Sequence, residues 1–167
     1  MTPAHLDVRT VVILFRGDRL LLLRRAPWKA FAPNRWTGLG GKVEPSELSD
    51  LDASARREIF EETDLTANEF AGLRLSRVLT FDHPIEGLVC LLYYVAQSFT
   101  DRVPACSEGI LQWVEPTELT SLDLIENTAR VIPLLVADVT RPDIVVRCGV
   151  ARYDVSGNLV SISWDSA

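Results

Sequence analysis

Two unbroken apolar runs constrain this fold more than anything else in the chain. Leu20, Leu21, Leu22 and Leu23 are consecutive, and Leu88 to Ala96 is apolar throughout except for the hydroxyls of Tyr93 and Tyr94. Both runs have strand length and fall well short of the roughly 18 residues of a membrane span. Strand side chains alternate between the two faces of a sheet, so a run without polar alternation must be covered on both. Val8 to Phe15, Leu73 to Phe81 and Ile110 to Val114 read as further strands, the first ending at a Gly17-Asp18 turn. A helix is predicted from about Asp50 to Asp64, with Ser49 or Asp50 as its N-cap. Pro116-Thr117-Glu118 offers a helix start. A second long helix is predicted from about Ile125 to Ala137, with Pro133 expected to kink it or mark its boundary. Between the leucine run and the first helix, Ala26 to Glu47 carries Pro27, Pro33, Pro45 and Gly40-Gly41, which forbids a regular helix there. The tail from Ile144 to Trp164 reads as a hairpin around Ser156-Gly157-Asn158. Strands interleaved with two helices predict an α/β fold with a mixed sheet between helices. At 167 residues one domain spanning 1–167 is expected, with the hairpin at about 144–164 as an extension.

Charge and cysteine usage narrow the function. Seventeen Lys and Arg against 23 Asp and Glu leave a net charge of -6. Gripping a nucleic acid polymer needs clustered cations that release counterions, and an anionic membrane also attracts basic surfaces, so neither partner is expected. Met1 to Thr10 carries His5, Asp7 and Arg9 and lacks the apolar core of a signal peptide. Cys90, Cys106 and Cys148 are odd in number, widely spaced and form no CxxC pair, so neither a zinc ribbon nor a disulfide framework is indicated. A cytoplasmic location with reduced thiols is the expectation.

The chemistry is concentrated in Arg57-Glu58-Ile59-Phe60-Glu61-Glu62. On a helix, Glu58, Glu61 and Glu62 fall at i, i+3 and i+4 and share a face, while Ala53, Ile59 and Phe60 are expected to turn to the other side and pack on the sheet. Three neighbouring carboxylates repel one another unless the face is solvated or a cation sits on it. A hard divalent ion suits oxygen ligands. Immediately upstream, Gly38-Leu39-Gly40-Gly41-Lys42 is a loop whose glycines let backbone groups approach a phosphate or metal closely, with a lysine as a point charge.

Gly41-Lys-Val-Glu-Pro-Ser-Glu47 followed by Arg57-Glu58-Ile59-Phe60-Glu61-Glu62-Thr63-Asp64-Leu65 resembles the box of the Nudix hydrolases. Two departures stand out. Nine residues rather than seven separate Glu47 from Arg57, and Asp64 replaces a glycine. The insertion leaves the role of Glu47 open. Aspartate tolerates the left-handed conformation a glycine would supply. The resemblance implies a Nudix-type α/β/α sandwich and Mg²⁺- or Mn²⁺-dependent cleavage of a nucleoside diphosphate linked to another group. It implies Glu58, Glu61, Glu62 and the Gly41 carbonyl as metal ligands, and Arg57 as the residue orienting the glutamates. Arg25 and Lys42 would hold phosphates. Glu108, in Cys106-Ser107-Glu108-Gly109, would bind metal or serve as general base.

Arg35-Trp36-Thr37-Gly38-Leu39-Gly40-Gly41-Lys42-Val43 and Glu108-Gly109-Ile110-Leu111-Gln112-Trp113-Val114 are similar to the oxidised-purine nucleoside triphosphatases within that family. The resemblance implies a small nucleotide such as 8-oxo-dGTP as substrate, with Trp36, Thr37, Glu126 and Asn127 around its base. The alternatives are hydrolysis of ADP-ribose or a dinucleoside polyphosphate, and a nucleotide sensor that does not cleave. Isopentenyl diphosphate isomerase shares the fold, but no cysteine is suitably placed in a polar loop. The apolar tail bearing Trp164 would cap the sheet or pair with a second subunit, so a monomer or homodimer is expected.

Overall fold

The computed structural model describes residues 5–143 and 145–165; Ile144, where the tail hairpin is expected to begin, lies outside the described residues. The strands are β1 (Leu6–Arg16), β2 (Arg19–Arg25), β3 (Trp36–Thr37), β4 (Phe70–His83), β5 (Gly87–Ser98), β6 (Gly109–Val114), β7 (Arg147–Tyr153) and β8 (Leu159–Trp164). They form a mixed sheet in the order β3-β2-β1-β5-β4-β7-β8, with β6 also pairing β2. The β1–β5 ladder is parallel from Leu6↔Leu88 to Phe15↔Gln97, and β4 runs parallel to β7, while β1–β2 and β4–β5 are antiparallel.

The leucine run is covered on both faces. Leu20 and Leu22 join Ile13, Phe15 and Tyr93 in one core cluster with Val131, Ile132 and Leu135 of helix α2 (Glu126–Val139). Leu21 and Leu23 join Val12, Leu14 and Tyr94 in another with Ala55 and Ile59 of helix α1 (Leu51–Thr63). Each helix therefore covers one face, which is the α/β/α sandwich. Among the described residues no helix is long and apolar enough to cross a membrane.

Several local expectations meet the structure unevenly. Asp50 caps α1 by accepting a hydrogen bond from Ala53 N, and Asp64 ends it in the left-handed conformation at φ 54°, standing where the family pattern has glycine. Pro133 does not bound α2, which runs through it to Val139. Pro116 opens a 3₁₀ helix, Pro116–Ser121, rather than an α-helix. Phe60 does not pack on the sheet; it is 53% exposed. The turn of α1 facing the sheet runs through Ser54, Ala55, Glu58, Ile59, Glu62 and Thr63, so two of the glutamates lie on the buried side.

The C-terminal strands cap the β4 edge. Trp164 packs against the α2-side core, with the Arg77 guanidinium 5.0 Å above its ring. Buried Asp138 at the end of α2 accepts hydrogen bonds from Ser76 Oγ and Arg77 Nε, both at 2.8 Å. Asp138→Asn removes the charge and keeps the shape. It is expected to cost about 2 kcal/mol in urea unfolding, the scale of a hydrogen bond to a charged group.

Candidate active site

One cavity of about 430 Å³ opens across the α2 side of the sheet. Successive strands each contribute to its wall: Leu23 and Arg25 from β2, Arg9 and Val11 from β1, Leu91 from β5, Phe81 and His83 from β4, and Tyr153 from β7. The glycine loop forms a further wall, because Leu39 and Gly41 pair with β1. Val12 N donates to Leu39 O at 2.7 Å, and Thr10 N to Gly41 O at 2.9 Å. Thr10 Oγ1, buried beside that loop, has no hydrogen-bond partner among the described residues.

Behind the loop lie the carboxylates of α1. Glu62 is 4% exposed and accepts a hydrogen bond from Gly40 N at 3.0 Å. Its burial pushes its pKa up to about 8, with the Glu58 charge adding to the effect. Glu58 is also buried, and burial raises its pKa too. A Cβ on Gly41 would lie 2.6 Å from Glu58 Oε1, so that position keeps the carboxylate against bare backbone. Glu61 is at the rim with its side chain half exposed.

Arg57 gathers this group. Its Nε and Nη2 grip both oxygens of Glu47 at 2.8 and 3.0 Å, and Nη1 donates to Glu58 at 2.6 Å and Glu61 at 3.1 Å. Nη2 also donates to the Lys42 carbonyl at 3.0 Å. The forked pairing holds Glu47 down to a pKa of about 2. The two-residue insertion therefore leaves Glu47 on Arg57; it falls between the 3₁₀ turn Pro45–Glu47 and Arg57, a stretch that holds the Asp50 cap of α1.

A buried carboxylate pair with raised pKa values and all-oxygen donors fits a hard divalent cation. Glu58 and Glu62 would hold it, with Glu61 at the rim, while the Gly41 carbonyl accepts the Thr10 amide at 2.9 Å. Among the described residues no three acidic, His or Cys side chains converge into a preformed metal shell. Glu58 and Glu61 are instead turned to the same Arg57 nitrogen.

The raised Glu62 value has a consequence for stability. Its folded pKa exceeds its ordinary value of 4.5, so the stability that protonated Glu62 contributes is full below about pH 4.5 and is lost as the pH climbs towards 8. In chelator, the melting temperature is expected to fall by on the order of 5 °C across that window. Added Mg²⁺ is expected to raise it more at pH 8 than at pH 5. Glu62→Gln should flatten the profile, and an unchanged slope would show that another group carries it.

Of the other residues singled out by sequence, Arg25, Lys42, Thr37, Glu108, Glu126 and Asn127 line the cavity. Trp36 does not; it packs against the α2-side core. Arg25 donates to the Phe31 carbonyl at 2.9 Å, and burial lowers its pKa. Lys42 pairs with Asp7 at 3.3 Å, and Glu108 pairs with Lys29 across the mouth. Glu126 accepts the Leu159 amide at 2.8 Å and so ties α2 to β8. Asn127 is buried and is not the N-cap, which is Ile125; its Oδ1 accepts from Thr128 N at 2.7 Å.

Sequence reasoning missed Arg9, Lys29, Phe81, Tyr153 and His83, the last residue of β4. Alternation within β1 placed Arg9 on the same face as Val11 and was the available signal. Tyr153 had none, because only the β4–β7 pairing brings it to the cavity.

The family comparison agrees with this geometry. The model for the NUDIX domain matches residues 5–135, most of the chain. An oxidized purine nucleoside triphosphate hydrolase of Danio rerio is 36% identical over 59 residues, a stretch that is 35% of this chain and 35% of that protein. The chain thus aligns with about a third of that relative's length. The MutT protein of Bacillus halodurans superposes with a TM-score of 0.74 at 21% identity, covering 95% of this chain and 97% of that one. A bifunctional NMN adenylyltransferase/ADP ribose pyrophosphatase of Francisella tularensis, complexed with AMP and a Mn ion, superposes with a TM-score of 0.64 at 18% identity, covering 82% of this chain and 43% of that one. With the family model spanning strands β1 to β6, the glycine loop and the glutamate helix, this chain belongs to the Nudix family of hydrolases.

Proposed function

We propose that the protein hydrolyses a purine nucleoside triphosphate, such as 8-oxo-dGTP, to the monophosphate and pyrophosphate with Mg²⁺ or Mn²⁺. The supporting observation is the continuity of one cavity. It runs from Arg25, Lys29, Lys42 and the glycine loop to a half-apolar end walled by Phe81, Tyr153 and Asn127. A polyphosphate fits the first end and a planar base the second. The partial likeness to an oxidized purine nucleoside triphosphate hydrolase favours a triphosphate.

A bound divalent ion neutralises phosphate charge and acidifies the attacking water. The chain's own groups do the rest. Glu58 and Glu62, ionised once a cation faces them, fix the metal end, and Arg57 keeps Glu58 and Glu61 in place. Arg25 and Lys42 orient the phosphates. On this reading Glu108, at the mouth, takes the proton of the water that adds to phosphorus as the bridging P–O bond breaks. The leaving pyrophosphate carries away the electron pair.

A panel of nucleoside triphosphates, ADP-ribose and diadenosine polyphosphates, read by product analysis, tests this. A purine triphosphate is expected to give the highest kcat/KM, with monophosphate and pyrophosphate as products. Stronger turnover of ADP-ribose would reject the triphosphate reading, and tight binding with no turnover in Mg²⁺ would make the protein a sensor.

A further inference from the structure

Arg9 has no place in the machinery described above, yet it faces the cavity and is fixed there. It lies on β1 beside Leu91 of β5 in the parallel ladder, on the sheet face that carries Phe81 and Tyr153. Its Nε and Nη2 donate to one oxygen of Asp7 at 3.1 and 2.6 Å, and its Nη1 to Glu86 at 3.4 Å. Both acids are largely shielded, with side chains 13% and 12% exposed, so the guanidinium is clamped from two sides. A guanidinium has five N–H donors. Three are taken by these bonds, which leaves two on the terminal nitrogens.

We propose that Arg9 is a specificity-determining residue that reads the acceptor edge of the base, making the site select 6-oxo purines over 6-amino purines; this rests on the nucleotide reading above. The chemistry is that of the guanidinium fork. Guanine offers O6 and N7 as adjacent acceptors that accept two parallel N–H bonds. Adenine puts an amino donor where O6 would be, and a donor-only group cannot satisfy it. The Asp7 and Glu86 carboxylates keep the fork from rotating, so little ordering entropy is spent when the base enters. His83 lines the same cavity. Its Nδ1 accepts from Ile85 N and Glu86 N at 3.2 and 3.3 Å, which puts the proton of the neutral ring on Nε2.

The test compares dGTP and dATP turnover, and GMP and AMP binding by calorimetry, in wild type, Arg9→Gln and Arg9→Lys. For Arg9→Gln, kcat/KM for dGTP is expected to fall on the order of tenfold through KM, with kcat nearly unchanged and dATP unaffected. GMP affinity should fall in parallel, and Arg9→Lys should restore little because it lacks the fork. An equal loss for both purines, or for inorganic tripolyphosphate, would make Arg9 a phosphate contact and overturn the proposal. So would a wild type that binds AMP as tightly as GMP. The monophosphate arm needs no turnover, so a chain that cleaves no triphosphate defeats the hydrolase reading while still deciding the role of Arg9. Melting curves of both variants identify misfolding, and binding by Arg9→Lys then decides if Arg9→Gln does not fold.

Discussion

Glu62→Gln is expected to lower kcat by about three orders of magnitude in Mg²⁺ while the protein melts no lower than wild type. The two halves of that result have one cause. Glu62 is buried, and among the described residues its only hydrogen bond comes from the Gly40 amide at 3.0 Å. Burial has already pushed its pKa to about 8, so its charge is a cost to the fold near neutral pH unless a cation faces it. Glutamine keeps the shape and an oxygen for Gly40 but cannot supply the anionic ligand. Steady-state rates with thermal melts and Mg²⁺ titration check it. A rate within a few-fold of wild type would remove Glu62 from the metal site.

Gly40→Ala is expected to destabilise by more than about 4 kcal/mol and to abolish activity, the largest stability effect of any single methyl group added in this loop. Gly40 has φ 140°, and a Cβ there would penetrate the Thr10 carbonyl oxygen and lie 2.8 Å from the carbon that bears it. Those atoms belong to β1 at the centre of the sheet and cannot retreat. The hydrogen bonds flanking the position, Thr10 N to Gly41 O and Val12 N to Leu39 O, would have to open. The same displacement pulls the Gly40 amide from Glu62. A melting temperature lower by on the order of 10 °C, or insoluble protein, is the expected reading. Gly41→Ala is the control. Its Cβ meets only the movable end of the Glu58 side chain, so the fold should survive while Mg²⁺ affinity drops. Equal melting temperatures for Gly40→Ala and wild type would contradict the packing described here.

Much of the fold was legible because it follows from period and punctuation. An unbroken leucine run predicts a strand covered on two faces, and Leu20 to Leu23 do alternate between the α2 and α1 cores. Asp50 and Asp64 fit the two ends of α1 for local reasons, a side-chain cap and a left-handed turn. Pro133 misled because a proline disfavours a helix interior only by a few kcal/mol. The burial of Val131, Ile132 and Leu135 around it outweighs that.

The candidate site divides along the same line. The spacing of Glu58, Glu61 and Glu62 placed them within reach of one another, since helical geometry depends on sequence separation alone. Which of them is buried did not follow, because Glu58 and Glu62 share the i, i+4 stripe with the sheet-facing side chains and only packing sets how far that stripe sinks. Nor did a count of nine residues reveal that Arg57 still reaches Glu47, for a loop's length does not fix its path.

By itself, then, the sequence determined the strands other than β3, the two helices, the glutamate cluster and the family, all properties carried by neighbours along the chain. The tertiary structure decided what lines the cavity. Arg9, His83 and Tyr153 meet there because β1, β4 and β7 fall within the run β1-β5-β4-β7 of the sheet, and strand order is a matter of long-range pairing that no local pattern encodes.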